Sequence, residues 1–202
     1  MRIVGSIVTD RRVYMPSYVE DNRRIETIGG RRHILPFQSS TANLVTGNIL
    51  MVFANYLKGK PGKVYMRFQV VFSENDKVFP DIVVVCDKSK VKEYHIEAPP
   101  DLVVEVISPA TYAVDRIDKA RLYERHGVKE YWIVDSENHA IEVFLHDGER
   151  LRNAGVYADI PRWEIEDIIG AGGNSYVYEF SPSMFSDLVI HVDDVFQELT
   201  ED

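Results

Sequence analysis

Two short runs of this sequence consist almost entirely of valine, isoleucine and leucine, and they restrict the possible fold more than any other feature. The runs cover residues 82–86 and 102–107. Strands with one face in water alternate apolar and polar residues, whereas continuous β-branched residues are typical of strands covered on both faces. The sequence therefore predicts a sheet that is buried between other layers of the protein.

Helices and further strands are predicted on both sides of these runs. Residues 24–28 and 32–35 flank a Gly-Gly pair, which is typical of a β-hairpin. Apolar residues then recur at helical spacing between Leu44 and Leu57, after possible N-cap residues at 39–41 and before Gly59. Further predicted elements are strands at 64–72, 130–134 and 176–180, a helix at 113–126, a hairpin from 140 across 147–148, and a helical turn near Val195. We expect an α/β (α+β) fold with a mixed central sheet flanked by helices, an extra N-terminal hairpin and C-terminal strands.

The net charge of −9 comes almost entirely from the C-terminal segment. Residues 159–202 contain 11 acidic residues and one basic residue, whereas residues 1–158 contain 22 basic and 21 acidic residues. A near-neutral body can still present a locally positive cleft, so the composition does not exclude a nucleic-acid partner. We predict a core domain over residues 1–158, including the hairpin, and an acidic extension over 159–202 packed on the same domain.

The sequence also limits the redox chemistry and the compartment. Its single cysteine, Cys86, excludes an internal disulfide and a cysteine-based metal cage. The first residues lack the apolar run of a signal peptide, and no stretch approaches the ~20 apolar residues that span a bilayer. We therefore expect a cytoplasmic protein that has no membrane partner.

Two carboxylates stand where buried strands should have none. Asp81 follows Pro80 directly before the first valine-rich run, and Glu105 interrupts the second. A buried ionised carboxylate is costly unless it is paired or bound to a metal. If the two strands are neighbours, Asp81 and Glu105 can converge on one hard cation, which favours oxygen ligands. The alternatives are that Asp81 simply begins a strand and that Glu105 forms a structural salt bridge with Lys119.

These residues resemble the PD-(D/E)XK signature of restriction-endonuclease-like nucleases, in the segments 79–81 and 105–107. The resemblance is closest to the Uma-two-type family of bacterial endonucleases and covers roughly residues 20 to 198. The matching positions are Ile25-Glu26, Gly30, residues 80–83, residues 100–109, Asp115, Lys119, Tyr123, Gly127-Val128 and residues 130–135. The resemblance implies a restriction-endonuclease-like core within the predicted α/β fold.

The resemblance also implies a set of metal ligands and a catalytic cation. Asp81, Glu105 and the backbone carbonyl of Val106 would hold Mg²⁺, for which Mn²⁺ is a plausible substitute, and Glu26 would help through a water. Ile107 stands at the usual lysine position, so the catalytic cation would be Lys119 from the following helix, whose flexible stem can reach the same space. Asp81, Glu105 and Lys119 are therefore the predicted catalytic residues.

Substrate contacts are predicted on the hairpin and on the first long helix. Arg31 and Arg32 are candidates for phosphate contact, and Asn43 stands where members of the family usually have a histidine. Asp101 and Asp115 are interpreted as cap or turn residues instead of ligands. The arginines at 116, 121 and 125 are interpreted as a solvated helix face.

The expected function is Mg²⁺-dependent hydrolysis of phosphodiester bonds by an endonuclease, with DNA as the expected partner and homodimer formation possible. One alternative is a catalytically silent module of the same fold that binds or assembles. Another is a metal-dependent hydrolase or binder of a substrate other than nucleic acid, because a carboxylate cluster does not choose a substrate by itself.

Overall fold

The two valine-rich runs form adjacent strands in the middle of a mixed sheet. The computed structural model describes residues 19–20, 23–172 and 178–197. In these ranges the central sheet has six strands: β4 (Lys63–Met66), β7 (Ile82–Val85), β9 (Leu102–Ile107), β10 (Glu130–Asp135), β11 (Ala140–His146) and β12 (Leu151–Ala158). Their spatial order is β12, β11, β10, β9, β7, β4. Strands β9 and β10 are parallel and the other neighbours are antiparallel, which gives the mixed sheet that the sequence predicts.

A second sheet contains the predicted N-terminal hairpin. Within the described residues its strands are β1 (Val19–Glu20), β2 (Arg23–Ile28), β3 (Arg31–Ile34), β5 (Val70–Ser73), β6 (Asp76–Val78) and β8 (Ile96–Glu97). The turn between β2 and β3 is Gly29-Gly30, with φ of 56° and 77°. Such positive φ angles suit the twist of a two-residue hairpin and favour glycine.

Helices and the second sheet cover the two faces of the central sheet. The long helix α1 (Ser40–Tyr56) packs on one face, where its buried residues Val45, Ile49 and Phe53 contact the core. The other face packs against the second sheet and a helix that begins as a π-helical segment, Val114–Lys119, and continues as α2 (Ala120–His126). Successive side chains of a strand point to opposite faces, so residues of β9 alternate between these two cores.

The C-terminal end of the described acidic segment packs beside α1. The described part of this segment contains α3 (Arg162–Gly170), β13 (Glu179–Phe180), β14 (Ile190–His191) and α4 (Val192–Phe196). The buried amide of Asn48 on α1 donates to the carbonyls of Val195 and Gln197 at 3.1 and 3.2 Å. The division of the chain at residue 158 stays a prediction. None of the described helices has both the length and the apolar character required to cross a membrane.

Two predicted elements differ from the structure. The run at 64–72 is not one strand: β4 and β5 belong to different sheets, and the chain turns between them at Arg67, whose φ is 50°. A continuous apolar pattern does not reveal such a turn, because it indicates that residues are buried but not where the chain changes direction. The helix α3 was not predicted. Of the strand expected at 176–180, residues 176–177 lie outside the described ranges, Tyr178 is not in a strand, and Glu179–Phe180 form β13.

Candidate active site

The register of β7 and β9 brings the two predicted carboxylates together. Ile82 lies opposite Val104 in this antiparallel pair, so the next position on each strand places Asp81 beside Glu105. Both side chains point to the face that packs against the second sheet and α2. They are buried, with 8% of Asp81 and 3% of Glu105 exposed. The sequence-based condition that the two strands are neighbours is therefore met.

The π-helical segment brings Lys119 to the same place. The Lys119 ammonium lies 3.0 Å from Glu105 Oε1, 3.1 Å from Glu26 Oε2 and 3.1 Å from Asp115 Oδ1. Only 3% of Lys119 is exposed, whereas its neighbour Asp118 is half-buried and does not line this cluster's cavity. π-helical segments widen a helix locally and are frequent at functional sites.

Glu26 reaches this cluster from the second sheet. It is fully buried on β2, and its Oε1 accepts a hydrogen bond of 2.7 Å from the backbone N–H of Phe79. Its other oxygen faces Lys119. Glu26 thus connects the segment that precedes Asp81 to Lys119. Its role as a metal ligand through a water stays a prediction.

Asp81 is held by groups on three sides. Its Oδ2 accepts a 2.9 Å hydrogen bond from the backbone N–H of Val106, and its Oδ1 accepts one from the Gln38 amide. The guanidinium Nε of Arg67 lies 3.6 Å from the same Oδ1. Burial raises the pKa of Asp81, although the Val106 N–H and the charges of Lys119 and Arg67 oppose this shift.

Glu105 has a second buried partner besides Lys119. The hydroxyl of Tyr123 on α2 donates to Glu105 Oε1 at 2.5 Å, and this tyrosine is completely buried. Burial, together with the nearby Glu105 charge, raises the pKa of Tyr123 well above its ordinary value, so the phenol remains a donor. One oxygen of Glu105 is therefore fixed by two donors, which orients the carboxylate.

The electrostatics of the cluster favour a charged lysine. Burial by itself would lower the pKa of Lys119, but Asp115, Glu105 and Glu26 raise it well above its ordinary value. Lys119 therefore carries its proton at neutral pH. Burial is also the main reason that the pKa of Glu105 is raised well above its ordinary value. Among the groups that act most strongly on Glu105, only Lys119 opposes this shift.

A cavity of about 40 Å³ adjoins these side chains, whereas a single water molecule needs about 10–15 Å³. It is lined by Asp81, Glu105 and Val106 from the sheet and by Asp115 and Lys119 from the helix. The remaining lining residues come from the loop before α1, from α1 itself, and from the segments around residues 79 and 108–111: Leu35, Pro36, Phe37, Gln38, Ala42, Phe79, Ser108 and Thr111. The three predicted catalytic side chains therefore border a single cavity.

The donor set fits a hard divalent cation. The cluster contains four carboxylates, from Glu26, Asp81, Glu105 and Asp115, against the two cations Lys119 and Arg67. When all are ionised, two negative charges remain in excess. No three Asp, Glu, His or Cys side chains in the described ranges form a ready cage for a metal ion. A pair of carboxylates with a backbone carbonyl and waters is, however, the kind of site that Mg²⁺ uses.

The predicted substrate-binding residues are not all at the cavity. Arg32 lines a neighbouring cavity of about 380 Å³, which shares Thr111 and Asp115 with the first. Arg31 lines neither cavity. Asn43 is exposed in the first turn of α1 and accepts a 3.3 Å hydrogen bond from Arg67. The roles of all three in substrate contact stay predictions.

Sequence reasoning missed several members of the cluster. Asp115, interpreted as a cap or turn residue, is buried and faces Lys119; the signal was its spacing of four residues from that lysine. Gln38 and Arg67 lie in irregular segments, where no periodic pattern marks a side chain as directed inward. Arg116 also differs from a purely solvated residue, because it is half-buried and pairs with Glu142.

Comparisons with known proteins bear on the family and the fold of this chain. Residues 13–173 match the Uma2 family, which is described as "putative restriction endonuclease". The uncharacterized protein slr1290 of Synechocystis sp. is 30% identical over 123 residues, which are 59% of this chain and 64% of that protein, just under two thirds of its length. A crystal structure of a "putative nuclease belonging to DUF820" from Anabaena variabilis matches with a TM-score of 0.63 at 17% identity, over 86% of this chain and 89% of that chain. The structural match shows a shared fold and confirms the predicted fold class.

Proposed function

Since this chain belongs to the Uma2 family of "putative restriction endonucleases", we propose that it is a nuclease that hydrolyses phosphodiester bonds, with DNA as its substrate and Mg²⁺ or Mn²⁺ as its cofactor. One observation carries the proposal. Two buried carboxylates on adjacent strands, Asp81 and Glu105, border one cavity together with a protonated lysine, Lys119.

Lys119 acts as a fixed positive charge instead of a base. Its raised pKa keeps the ammonium protonated at neutral pH, so it cannot remove a proton from water. A buried cation beside the scissile phosphate stabilises the negative charge that develops on the phosphoryl oxygens in the transition state. Glu105, fixed by Tyr123, and Asp81, fixed by Val106, provide the oriented oxygens opposite this charge.

The first turn of α1 favours an anion in the same cavity. Ala42 of that turn lines the cavity, and the turn contains no acidic residue. The N-terminal end of a helix carries a partial positive charge and exposes backbone N–H groups to an anion. Together with Arg67 beside Asp81, this arrangement gives a phosphate two sources of positive potential besides Lys119.

The metal would be held by Asp81, Glu105 and the carbonyl of Val106. When bound, Mg²⁺ or Mn²⁺ would polarise the phosphoryl group and lower the pKa of a coordinated water. The carboxylate excess of the cluster supports this assignment, because a divalent cation would balance it.

A second candidate is a catalytically silent module of the same fold. The observation in its favour is that Lys119 is almost fully buried and already contacts three carboxylates, as a structural ion network does. Such a module would bind nucleic acid without cutting it. The two candidates differ in one measurable property, which is turnover.

Cleavage assays separate these candidates. Purified protein is incubated with supercoiled plasmid, single-stranded DNA and RNA in the presence of Mn²⁺. We expect cutting by the wild type and by Asp118→Asn, a carboxylate next to Lys119 in sequence that does not line the cavity, and loss of cutting by Glu105→Gln and Lys119→Met. Equal cutting by Glu105→Gln would mean a contaminating nuclease or a wrong site. Salt-sensitive binding without turnover would establish the silent module.

A further inference from the structure

We propose that Phe37 is the residue that recognises the substrate, by stacking against an unpaired nucleobase next to the scissile phosphate, so that the site acts on single-stranded or locally opened nucleic acid. This inference rests on the proposed function and adds to it a class of substrate. The observation behind it is an exposed aromatic ring at the wall of the carboxylate cavity. Phe37 lines that cavity, yet 78% of the residue is exposed to solvent.

The loop that carries Phe37 is fixed at both ends. On one side, Pro36 restricts its own backbone φ angle. On the other side, Gln38 donates to the carboxylate of Asp81, and Ser39 caps α1 by accepting a 3.1 Å hydrogen bond from the N–H of Ala42. The backbone that carries the ring is therefore held in position before any ligand binds, and little backbone entropy is lost when the ring makes a contact.

The recessed position of the carboxylates favours an unpaired strand. Asp81 and Glu105 are almost fully buried, and the cavity that they line is small and is also lined by the Phe37 loop and by Ser108 and Thr111. The phosphates of a rigid duplex lie on a broad cylinder, which cannot enter such a cavity without local opening of the base pairs. A flexible single strand can insert one phosphate into the cavity.

The covalent structure of a nucleotide then indicates which group would contact Phe37. Each phosphate is linked through a sugar to a base, so a strand whose phosphate enters the cavity carries a base to its rim. Aromatic side chains stack on bases of any type, and such stacking contributes to single-strand binding without sequence preference. Arg32 borders the adjoining cavity and offers positive charge to the next phosphates along the strand.

A second copy of this chain is the other possible occupant of an exposed aromatic ring. Met51 on α1 is a suitable control for general apolar contact, because 62% of it is exposed and it does not line the cavity. Self-association that depends on Phe37, with strand binding unaffected, would assign the ring to a dimer interface and overturn the proposal.

Binding can be tested separately from cutting. The probes are mixed-sequence oligonucleotides of either DNA or RNA, single-stranded or closed as hairpins. Each carries 2-aminopurine, whose fluorescence falls when this base stacks. Binding is measured in EDTA, so that no strand is cut, for the wild type, Phe37→Ala, Phe37→Trp, Phe37→Leu and Met51→Ala. We expect tighter binding of the single strand than of the hairpin by the wild type. We also expect about tenfold weaker single-strand binding and loss of quenching in Phe37→Ala.

The variants distinguish stacking from other roles. Phe37→Trp should retain affinity and quenching, Phe37→Leu should not, and Met51→Ala should behave as the wild type. In cleavage assays Phe37→Ala should raise KM and leave kcat unchanged, because the ring does not touch the phosphate. Wild type without measurable strand binding, or Phe37→Ala with wild-type affinity, would overturn the inference. Strand binding through Phe37 without turnover would instead overturn the hydrolase and leave this inference intact.

Discussion

At the scale of single residues, the central feature is a buried lysine that neutralises part of an acidic cluster. Its ammonium contacts Glu26, Glu105 and Asp115 within 3.1 Å. Removing one partner of a buried ion network leaves uncompensated charge in a poorly polarisable environment, and the cost is about 3–5 kcal/mol. Lys119 therefore contributes both to the stability of the fold and to the positive potential of the site.

Lys119→Met should destabilise the protein by about 3–5 kcal/mol at neutral pH. The loss should be smaller at pH 5, because carboxylates without their cation have raised pKa values in the folded state and take up protons there, which relieves the repulsion. Urea unfolding at both pH values measures this. The control is Lys92→Met, which removes an exposed pair with Glu97 and should cost less than about 1 kcal/mol. Equal stability of Lys119→Met and the wild type would contradict the account of the cluster.

A second residue-scale prediction concerns Asp101, which is buried at the start of β9. Burial acts to raise its pKa, but the Cys86 N–H at 2.8 Å and the ammonium of Lys129 together hold the pKa of Asp101 below its ordinary value. A lowered pKa in the folded state contributes stability above the ordinary carboxyl value, and this stability is lost as the pH falls through the folded-state pKa.

Asp101→Asn should therefore destabilise the protein by about 1–2 kcal/mol at pH 7, mainly through the weakened hydrogen bond to Cys86, since Lys129 is exposed. The difference from the wild type should shrink as the pH falls below about 4. Chemical unfolding of both proteins across this range checks the sign. A difference that grows on acidification would show that the carboxylate is not stabilised by its partners.

How far the sequence predicts the site depends on how unusual each residue is in its setting. Asp81, Glu105 and Lys119 could be singled out because a charge beside or within an apolar strand demands a partner, and the family resemblance supplied the lysine. Gln38 could not be predicted, because its contact with Asp81 bridges two segments 43 positions apart. Asp115 has a residue type and position that also suit a helix surface, so only the fold shows that it faces inward.

At the scale of elements, turn and cap chemistry decides where the helices and strands end. Gly127 terminates α2 with φ of 72°, and Gly29-Gly30 forms the hairpin turn. These ends were predictable because left-handed backbone favours glycine. The turn between β4 and β5 was not, since Arg67 adopts φ of 50° without any glycine or proline to mark it.

Two glycine substitutions test these assignments, because they should change the stability of the protein in opposite directions. Gly127→Ala should destabilise the protein by about 1 kcal/mol, because alanine is strained at this positive φ although nothing lies within 4 Å of an added Cβ. Gly47→Ala, inside α1 and equally open, should stabilise it by about 0.5–1 kcal/mol, because alanine has the higher helix propensity. Thermal and denaturant unfolding give both differences. The same sign for both would contradict the assignment of helix interior and helix end.

At the scale of the whole molecule, the charge distribution separates the acidic C-terminal segment from a nearly neutral body. The mixed sheet between two layers could be predicted from its valine-rich strands, because such strands require cover on both faces. Which strands belong to which sheet could not be predicted, because nothing in the sequences of β5 and β8 indicates that these two strands pair. Overall net charge gave little guidance about the site, which is a local feature.

The affinity for nucleic acid should depend only modestly on salt. Of the described lysines and arginines, Lys119 and Arg32 line these two cavities; Lys119 is already paired, and Arg67 lies 3.6 Å from Asp81. Two or three neutralised phosphates predict a slope of about −2 for the logarithm of the single-strand binding constant against that of the salt concentration. Anisotropy titrations between low and physiological salt measure it. A slope several times steeper would place the main contacts on another, more basic surface.

Binding of Mn²⁺, followed by the loss of the paramagnetic resonance signal of the free ion, tests the central claim most directly. Asp81 and Glu105 are expected to hold about one ion per chain together with a backbone carbonyl. Asp81→Asn and Glu105→Gln should each weaken binding at least about tenfold, as loss of an ionised ligand does, while Asp118→Asn should bind as the wild type does. A wild type that leaves Mn²⁺ free in solution, or Asp81 and Glu105 variants that bind it unchanged, would contradict the account.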